Sequence, residues 1–136
     1  SYPIGGVFHV PHGIANTLLL PWVMEYNMLA CLPWFKEIGM AMGEDMEGLS
    51  DREAADKTVC ALRQLAADLD VPQYLSDVDI PESAIPELVK GALTQGRLWN
   101  NNPRKFTPED MEQVYRNMAV RPGSKPVKAK KAPAKK

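Results

Sequence analysis

The spacing of apolar residues constrains this chain most, because they recur at helical intervals and no segment alternates as a strand does. Ser50 and Glu53 form an S-x-x-E capping box, and Thr107 followed by Pro108 is a second helix start. The predicted core-facing residues of three helices are Val59, Leu62, Leu65, Ala66, Leu69, Ile85, Leu88, Val89, Ala92, Leu93, Met111, Val114, Tyr115 and Met118. This periodicity predicts an all-α helical bundle.

The first half of the chain predicts two further helices. Residues 11–31 are apolar on nearly every side, which indicates a helix in the middle of a bundle. A shorter helix is predicted from Pro33, a favoured first helical position, to about Gly43. Ahead of them, Gly5 and Gly6 allow a tight backbone.

Charge divides the chain into an acidic body, residues 1–120, and a basic tail, residues 121–136. The tail contains seven basic side chains, three prolines and no acid, so it has no means of burying a core and is predicted to be disordered. A tether is the plain interpretation, and weak binding to nucleic acid or another acidic surface is the alternative. The tail has no aromatic residue to stack on bases, so specific nucleic-acid recognition is not expected.

Cysteine usage and hydropathy bear on location. Cys31 and Cys60 lie far apart without metal-binding spacing, which indicates buried thiols in a reducing compartment. No apolar run approaches the roughly 20 residues needed to span a bilayer, and no signal-peptide pattern is present, so we expect a cytoplasmic protein. The sequence opens at Ser1 inside a motif and resembles a fragment or a processed product.

Both histidines lie close together before the first predicted helix. His12 falls at or near its N-terminus, where the helix dipole disfavours the protonated ring and the neutral ring is the form that binds a metal. His9 and His12 are separated by Pro11 and need not face one ion. Two histidines do not complete a transition-metal site. The residues alone therefore leave a structural role and a ligand role open.

Residues 9–27, HVPHGIANTLLLPWVMEYN, resemble a signature of the iron-dependent (group III) alcohol dehydrogenase family. The matching residues are Pro11, His12, Gly13, Ala15, Asn16, Leu19, Leu20, Pro21, Val23, Met24, Tyr26 and Asn27. Weaker similarity continues through residues 71–78, residues 80–93 and Asn102-Pro103-Arg104, so the resemblance covers residues 1–119.

The resemblance implies the C-terminal helical domain of a two-domain enzyme. In that family an N-terminal α/β domain binds NAD(P), and a divalent metal, usually Fe(II), lies between the domains. His12 matches the last of three histidine ligands, whereas the other ligands precede Ser1 in the family's order. Tyr2 stands where the family often has a histidine close to the substrate. His9 is a candidate partner of the metal ligand or a substrate-side residue, against a structural role.

Two hypotheses of function follow. In the first, the chain is the metal-side domain of an NAD(P)-linked alcohol dehydrogenase, does not transfer hydride alone, and requires the α/β domain in the same or another chain. In the second, it is a stand-alone helical interaction module with a basic tether. In the second hypothesis, the exposed interdomain face is expected to favour homo-oligomers.

Overall fold

A computed structural model describes residues 1–128, and within that range the chain is all-α with no strand. The predicted fold class is therefore confirmed. The α-helices are α1 (Tyr2–Phe8), α2 (His12–Asn27), α3 (Leu32–Ala41), α4 (Asp51–Asp68), α5 (Ile85–Leu93), α6 (Gly96–Trp99) and α7 (Pro108–Asn117). Short 3-10 turns cover Met28–Ala30, Leu75–Val78 and Glu82–Ala84.

Helix α2 is central, because α1, α4 and α7 all pack against it. Its position agrees with the prediction from its all-round apolar surface. The larger core cluster lies between α1, α2, α5, α7 and the turn at Leu75–Val78, and includes Ile4, Leu18, Leu75, Leu88 and Met118. A second cluster joins the end of α2 to α3 and α4 through Met28, Phe35, Ala55 and Val59.

Both predicted helix starts are confirmed by reciprocal hydrogen bonds. The Ser50 hydroxyl accepts from the backbone N–H of Glu53 at 3.3 Å, and the Glu53 carboxylate accepts from the Ser50 N–H at 2.9 Å. Thr107 and Asp110 make the same pair at 3.1 and 3.0 Å. Each box satisfies backbone donors that a helix start would otherwise leave unpaired.

Three expectations about local structure are wrong. A full helix, α1, occupies the segment before residue 11, where only a tight backbone was predicted. Cys60 is exposed rather than buried, and Cys31 is half-buried. Leu65 in α4, Leu69 directly after α4 and Leu93 in α5 are also exposed. Helical spacing identifies a face but not how far a partner covers it, and in α4 the buried residues stop at Val59.

The tail begins on the folded domain. The Arg121 guanidinium pairs with the Asp77 carboxylate at 2.8 Å and lies 5.4 Å from the centre of the Tyr74 ring. Residues 122–128 form neither helix nor strand. Residues 129–136 lie outside the described range, so the disordered tail and its boundary at residue 121 remain predictions. Across residues 1–128, no helix combines the length and apolar content needed to cross a membrane.

Candidate functional site

His12 is the first residue of α2, directly after Pro11, whose φ of −52° and ψ of 139° turn the chain into the helix. The predicted position at a helix N-terminus is confirmed. No side chain caps this end of α2 within residues 1–128. The His12 residue is exposed rather than packed among the helices, so its ring is available to a group outside the described domain.

Two neighbours contact the His12 ring. The Asn16 amide Nδ2 donates to the His12 Nε2 at 3.0 Å, four residues further along α2. The Tyr2 ring of α1 lies 5.8 Å from the His12 ring, centre to centre, with the planes tilted by 60°. One contact is within α2 and the other comes from α1, so the packing of α1 on the core influences how the His12 ring is held.

His9 occupies a different backbone environment. It ends α1 in the left-handed conformation, with φ 56° and ψ 25°, and is exposed. Its side chain makes no hydrogen bond to the rest of residues 1–128, nor any ring contact with His12. The arrangement brings Tyr2 and His12 together and leaves His9 out of that contact.

A cavity of about 180 Å³ adjoins this site through Tyr2. Apolar and aromatic side chains form most of its wall, including Tyr2, Leu19, Leu98, Trp99, Phe106 and Tyr115. Trp99 is fixed by its indole N–H, which donates to the Ala92 carbonyl at 2.8 Å. Burial raises the pKa of Tyr115 to about 12. Tyr2 thus borders both the His12 ring and the cavity.

Polar and aromatic contacts hold the loop between α6 and α7 against the end of α2. Arg104 lies 4.0 Å above the Tyr26 ring and donates to the Tyr26 carbonyl at 3.0 Å. The side chains of Asn27 and Asn102 exchange hydrogen bonds at 2.9 and 2.7 Å. These contacts hold Arg104 against the helical bundle.

The Tyr26 hydroxyl completes this loop network. It has one proton to donate, and it lies within hydrogen-bond distance of two acceptors, the Lys105 carbonyl at 2.6 Å and the Asp110 carboxylate at 2.9 Å. Burial and the hydrogen bond to Asp110 raise the pKa of Tyr26. Hydrogen bonds from Thr107 and Tyr26 lower the pKa of Asp110. These titration shifts therefore have a structural cause, away from His12.

Sequence reasoning missed Asn16 as a partner of His12. The available signal was the i, i+4 spacing, which places two side chains on the same helix face.

Comparison with known proteins relates the chain to one family. The model described as the Fe-containing alcohol dehydrogenase family, C-terminal, matches residues 1–119. The chain is 36% identical over 116 residues to 1,3-propanediol dehydrogenase of Klebsiella pneumoniae, covering 85% of this chain and 30% of that protein. It is also 36% identical over 115 residues to lactaldehyde reductase of Escherichia coli K12, again covering 85% of this chain and 30% of that protein.

Solved structures agree with the sequence relatives. A crystal structure of 1,3-propanediol oxidoreductase superimposes with a TM-score of 0.81 at 36% identity, covering 86% of this chain and 30% of that one. Alcohol dehydrogenase from Oenococcus oeni gives a TM-score of 0.81 at 34% identity with the same coverage. The chain therefore spans about 30% of the length of these relatives. The family match over residues 1–119 shows that this chain belongs to the Fe-containing alcohol dehydrogenase family, as its C-terminal helical part.

Proposed function

We propose that this chain is the metal-side domain of an NAD(P)-linked alcohol dehydrogenase, with His12 as one ligand of the metal. The observation that carries the proposal is the exposed His12 ring at the start of α2, inside the segment that matches the family. An exposed imidazole at the start of a rigid helix suits a metal site whose other ligands come from another domain.

The donor set of the chain fits a contribution to a metal site rather than a whole site. Within residues 1–128, no three His, Cys, Asp or Glu side chains are grouped so that they could hold an ion. Transition-metal sites in enzymes usually take three or more protein ligands. A neutral imidazole is a suitable ligand for ferrous iron, so His12 fits as one donor among others supplied from outside this sequence.

When bound, the metal would polarise an alcohol or carbonyl oxygen and the nicotinamide would exchange the hydride. The chain's own part is to present the His12 imidazole at a fixed helix end and to supply one wall of the site. Tyr2 contributes to that wall, because its ring contacts His12 and also lines the cavity. For His9, we assign the side chain no part in the site, because it ends α1 in an exposed position and does not contact His12.

We infer that the substrate is a small alcohol or aldehyde with an apolar portion. A cavity of about 150 Å³ accommodates a molecule the size of benzene, and the cavity beside Tyr2 has a similar volume, about 180 Å³. Its mostly apolar and aromatic lining favours hydrocarbon over charged groups. The relatives include a 1,3-propanediol dehydrogenase and a lactaldehyde reductase, names that refer to small substrates.

The partner implied by this function is an α/β domain that carries NAD(P) and the remaining ligands, in the same chain or another. Large apolar side chains on the helices around the site remain exposed, among them Tyr2, Leu20 and Leu98, which supports contact with such a domain or with a second copy. We also propose a reducing, cytoplasmic location, supported by the two free thiols.

The second hypothesis is a helical interaction module without catalysis. Trp34 on α3 favours it, because this large side chain is 65% exposed on a helix that does not carry His12. A contact surface at Trp34 would not require a metal. The two hypotheses therefore differ in whether His12 binds iron once an α/β domain is present.

The test is a hybrid in which this chain replaces the matched C-terminal 30% of 1,3-propanediol dehydrogenase from Klebsiella pneumoniae. We expect the purified hybrid to bind iron and to oxidise 1,3-propanediol with NAD. His12→Ala should weaken iron binding by more than about 100-fold, since loss of even an outer partner of a ligand costs about 10- to 100-fold. Iron content by mass spectrometry and a competition titration measure this.

His9→Ala is the matched control, because it removes the other imidazole three residues away and should leave iron binding unchanged. Circular dichroism of each variant verifies folding. A folded His12→Ala hybrid that retains iron with the affinity of its parent would rule out the ligand role. Equal losses from both variants would also count against a specific role of His12.

A further inference from the structure

The contact between His12 and Asn16 determines more than the orientation of a ring. In a neutral imidazole one nitrogen carries the proton and the other carries a lone pair. In the structure the Asn16 Nδ2 faces the His12 Nε2, at 3.0 Å. With the amide in this orientation its N–H donates, which pairs with a lone pair at Nε2 and a proton at Nδ1, whereas an amide turned by 180° would accept from an Nε2–H.

We propose that Asn16 is a positioning residue that holds His12 in the tautomer with its proton on Nδ1 and its lone pair on Nε2. In an unconstrained imidazole the proton prefers Nε2, so the proposed effect runs against the intrinsic preference of the ring. The use of this tautomer rests on the proposed function, in which a ring nitrogen of His12 binds a metal. The tautomer itself is a property of the chain without any ion.

The other neighbours of the ring do not compete for this role. Tyr2 touches the ring through its aromatic face or edge, which restrains the ring plane but not the position of the proton. The His12 Nδ1 has no hydrogen-bond partner elsewhere in residues 1–128. Among the described residues, Asn16 is therefore the group that distinguishes the two ring nitrogens.

The contact between Asn16 and His12 can exist only before a metal binds at Nε2. A metal that takes the Nε2 lone pair must displace the amide, because both use the same electron pair. The hydrogen bond therefore belongs to the metal-free chain, where it keeps the proton off Nε2. In known metal sites the partner that fixes the tautomer of a ligating histidine usually binds its other ring nitrogen. Here the partner lies four residues along the same helix and contacts Nε2 itself.

The experiment is nitrogen-15 NMR of the two imidazoles in the full 136-residue chain without metal, at a pH at which both rings are neutral. The shifts of the two ring nitrogens report the ratio of tautomers. We expect Asn16→Leu to lower the ratio of Nδ1–H to Nε2–H at His12 by roughly fivefold, the effect of one net hydrogen bond of ordinary strength. Asn16→Asp should move it the same way, because a carboxylate accepts from Nε2–H.

His9 provides an internal control, since Asn16 does not contact it and its ratio should stay constant. An unchanged His12 ratio in both variants, or a rise in the Nδ1–H form, would overturn the proposal. Folding is verified by thermal melting, and the two variants are independent, so one that fails to fold leaves the other as the test. Because no metal is present, a failure here leaves the iron-binding experiment on His12→Ala unaffected, and the converse also holds.

Discussion

The two histidines show how backbone position separates residues that are close in sequence. His9 ends α1 with a left-handed backbone, whereas His12 begins α2 in a right-handed one. A left-handed conformation brings the Cβ of an L-residue too close to its own backbone and costs about 1–2 kcal/mol. The His9 side chain makes no hydrogen bond to the described part of the chain that would offset this cost.

We therefore expect His9→Gly to raise the free energy of unfolding by about 1 kcal/mol, because glycine adopts the helix-ending conformation without strain. Urea denaturation followed by circular dichroism measures the change. His12→Gly is the matched control and should lower stability by a few tenths to about 1 kcal/mol, since it introduces glycine into a helix. A loss of stability in His9→Gly would indicate that the imidazole has a packing role.

At the scale of elements, α1 depends on its contacts with other helices. Seven residues with two glycines would not form a stable helix alone, but Pro3 and Ile4 are buried against the bundle. Helix α5 approaches so closely that a Cβ added at Gly91 would lie 2.8 Å from the Pro3 Cβ. The glycine of one helix thus determines where another helix can lie, and α1 carries Tyr2 to His12.

Gly91→Ala should lower the free energy of unfolding by about 1 kcal/mol. The overpacking costs about 1–3 kcal/mol, and the better helix propensity of alanine returns about 1 kcal/mol. Gly6→Ala is the control, because nothing lies within 4 Å of an added Cβ there and stability should rise. Chemical denaturation compares the two. A stabilised Gly91→Ala variant would mean that α1 and α5 are not packed at this distance.

For the whole molecule, the core carries a titratable group that links stability to alkaline pH. Tyr115 is only 5% exposed, and burial raises its pKa to about 12. In the unfolded chain the phenol has a pKa near 10. Between these pKa values the unfolded state loses a proton that the folded state keeps. The contribution of Tyr115 to the free energy of unfolding is therefore fully present below pH 10 and is lost as pH rises toward 12.

We expect the free energy of unfolding of the parent chain to fall by about 1 kcal/mol more than that of Tyr115→Phe between pH 9 and 11, because one pKa unit corresponds to about 1.4 kcal/mol. Denaturation profiles of both proteins at several pH values measure this difference. Because all other titrating groups are common to the two proteins, their effects cancel in the comparison. Parallel profiles of the two proteins would show that the phenol ionises equally in both states.

Local signals in the sequence determined the helical class, both capping boxes and the position of His12 at a helix start, because each depends on residues within one or two turns. Only the tertiary structure decided that α1 exists, that Leu65 and Leu69 stay exposed, and that Arg104 stacks on Tyr26 instead of facing outward. These outcomes depend on which surface comes to cover a residue, and that surface comes from distant parts of the chain, 78 residues away for Arg104 and Tyr26.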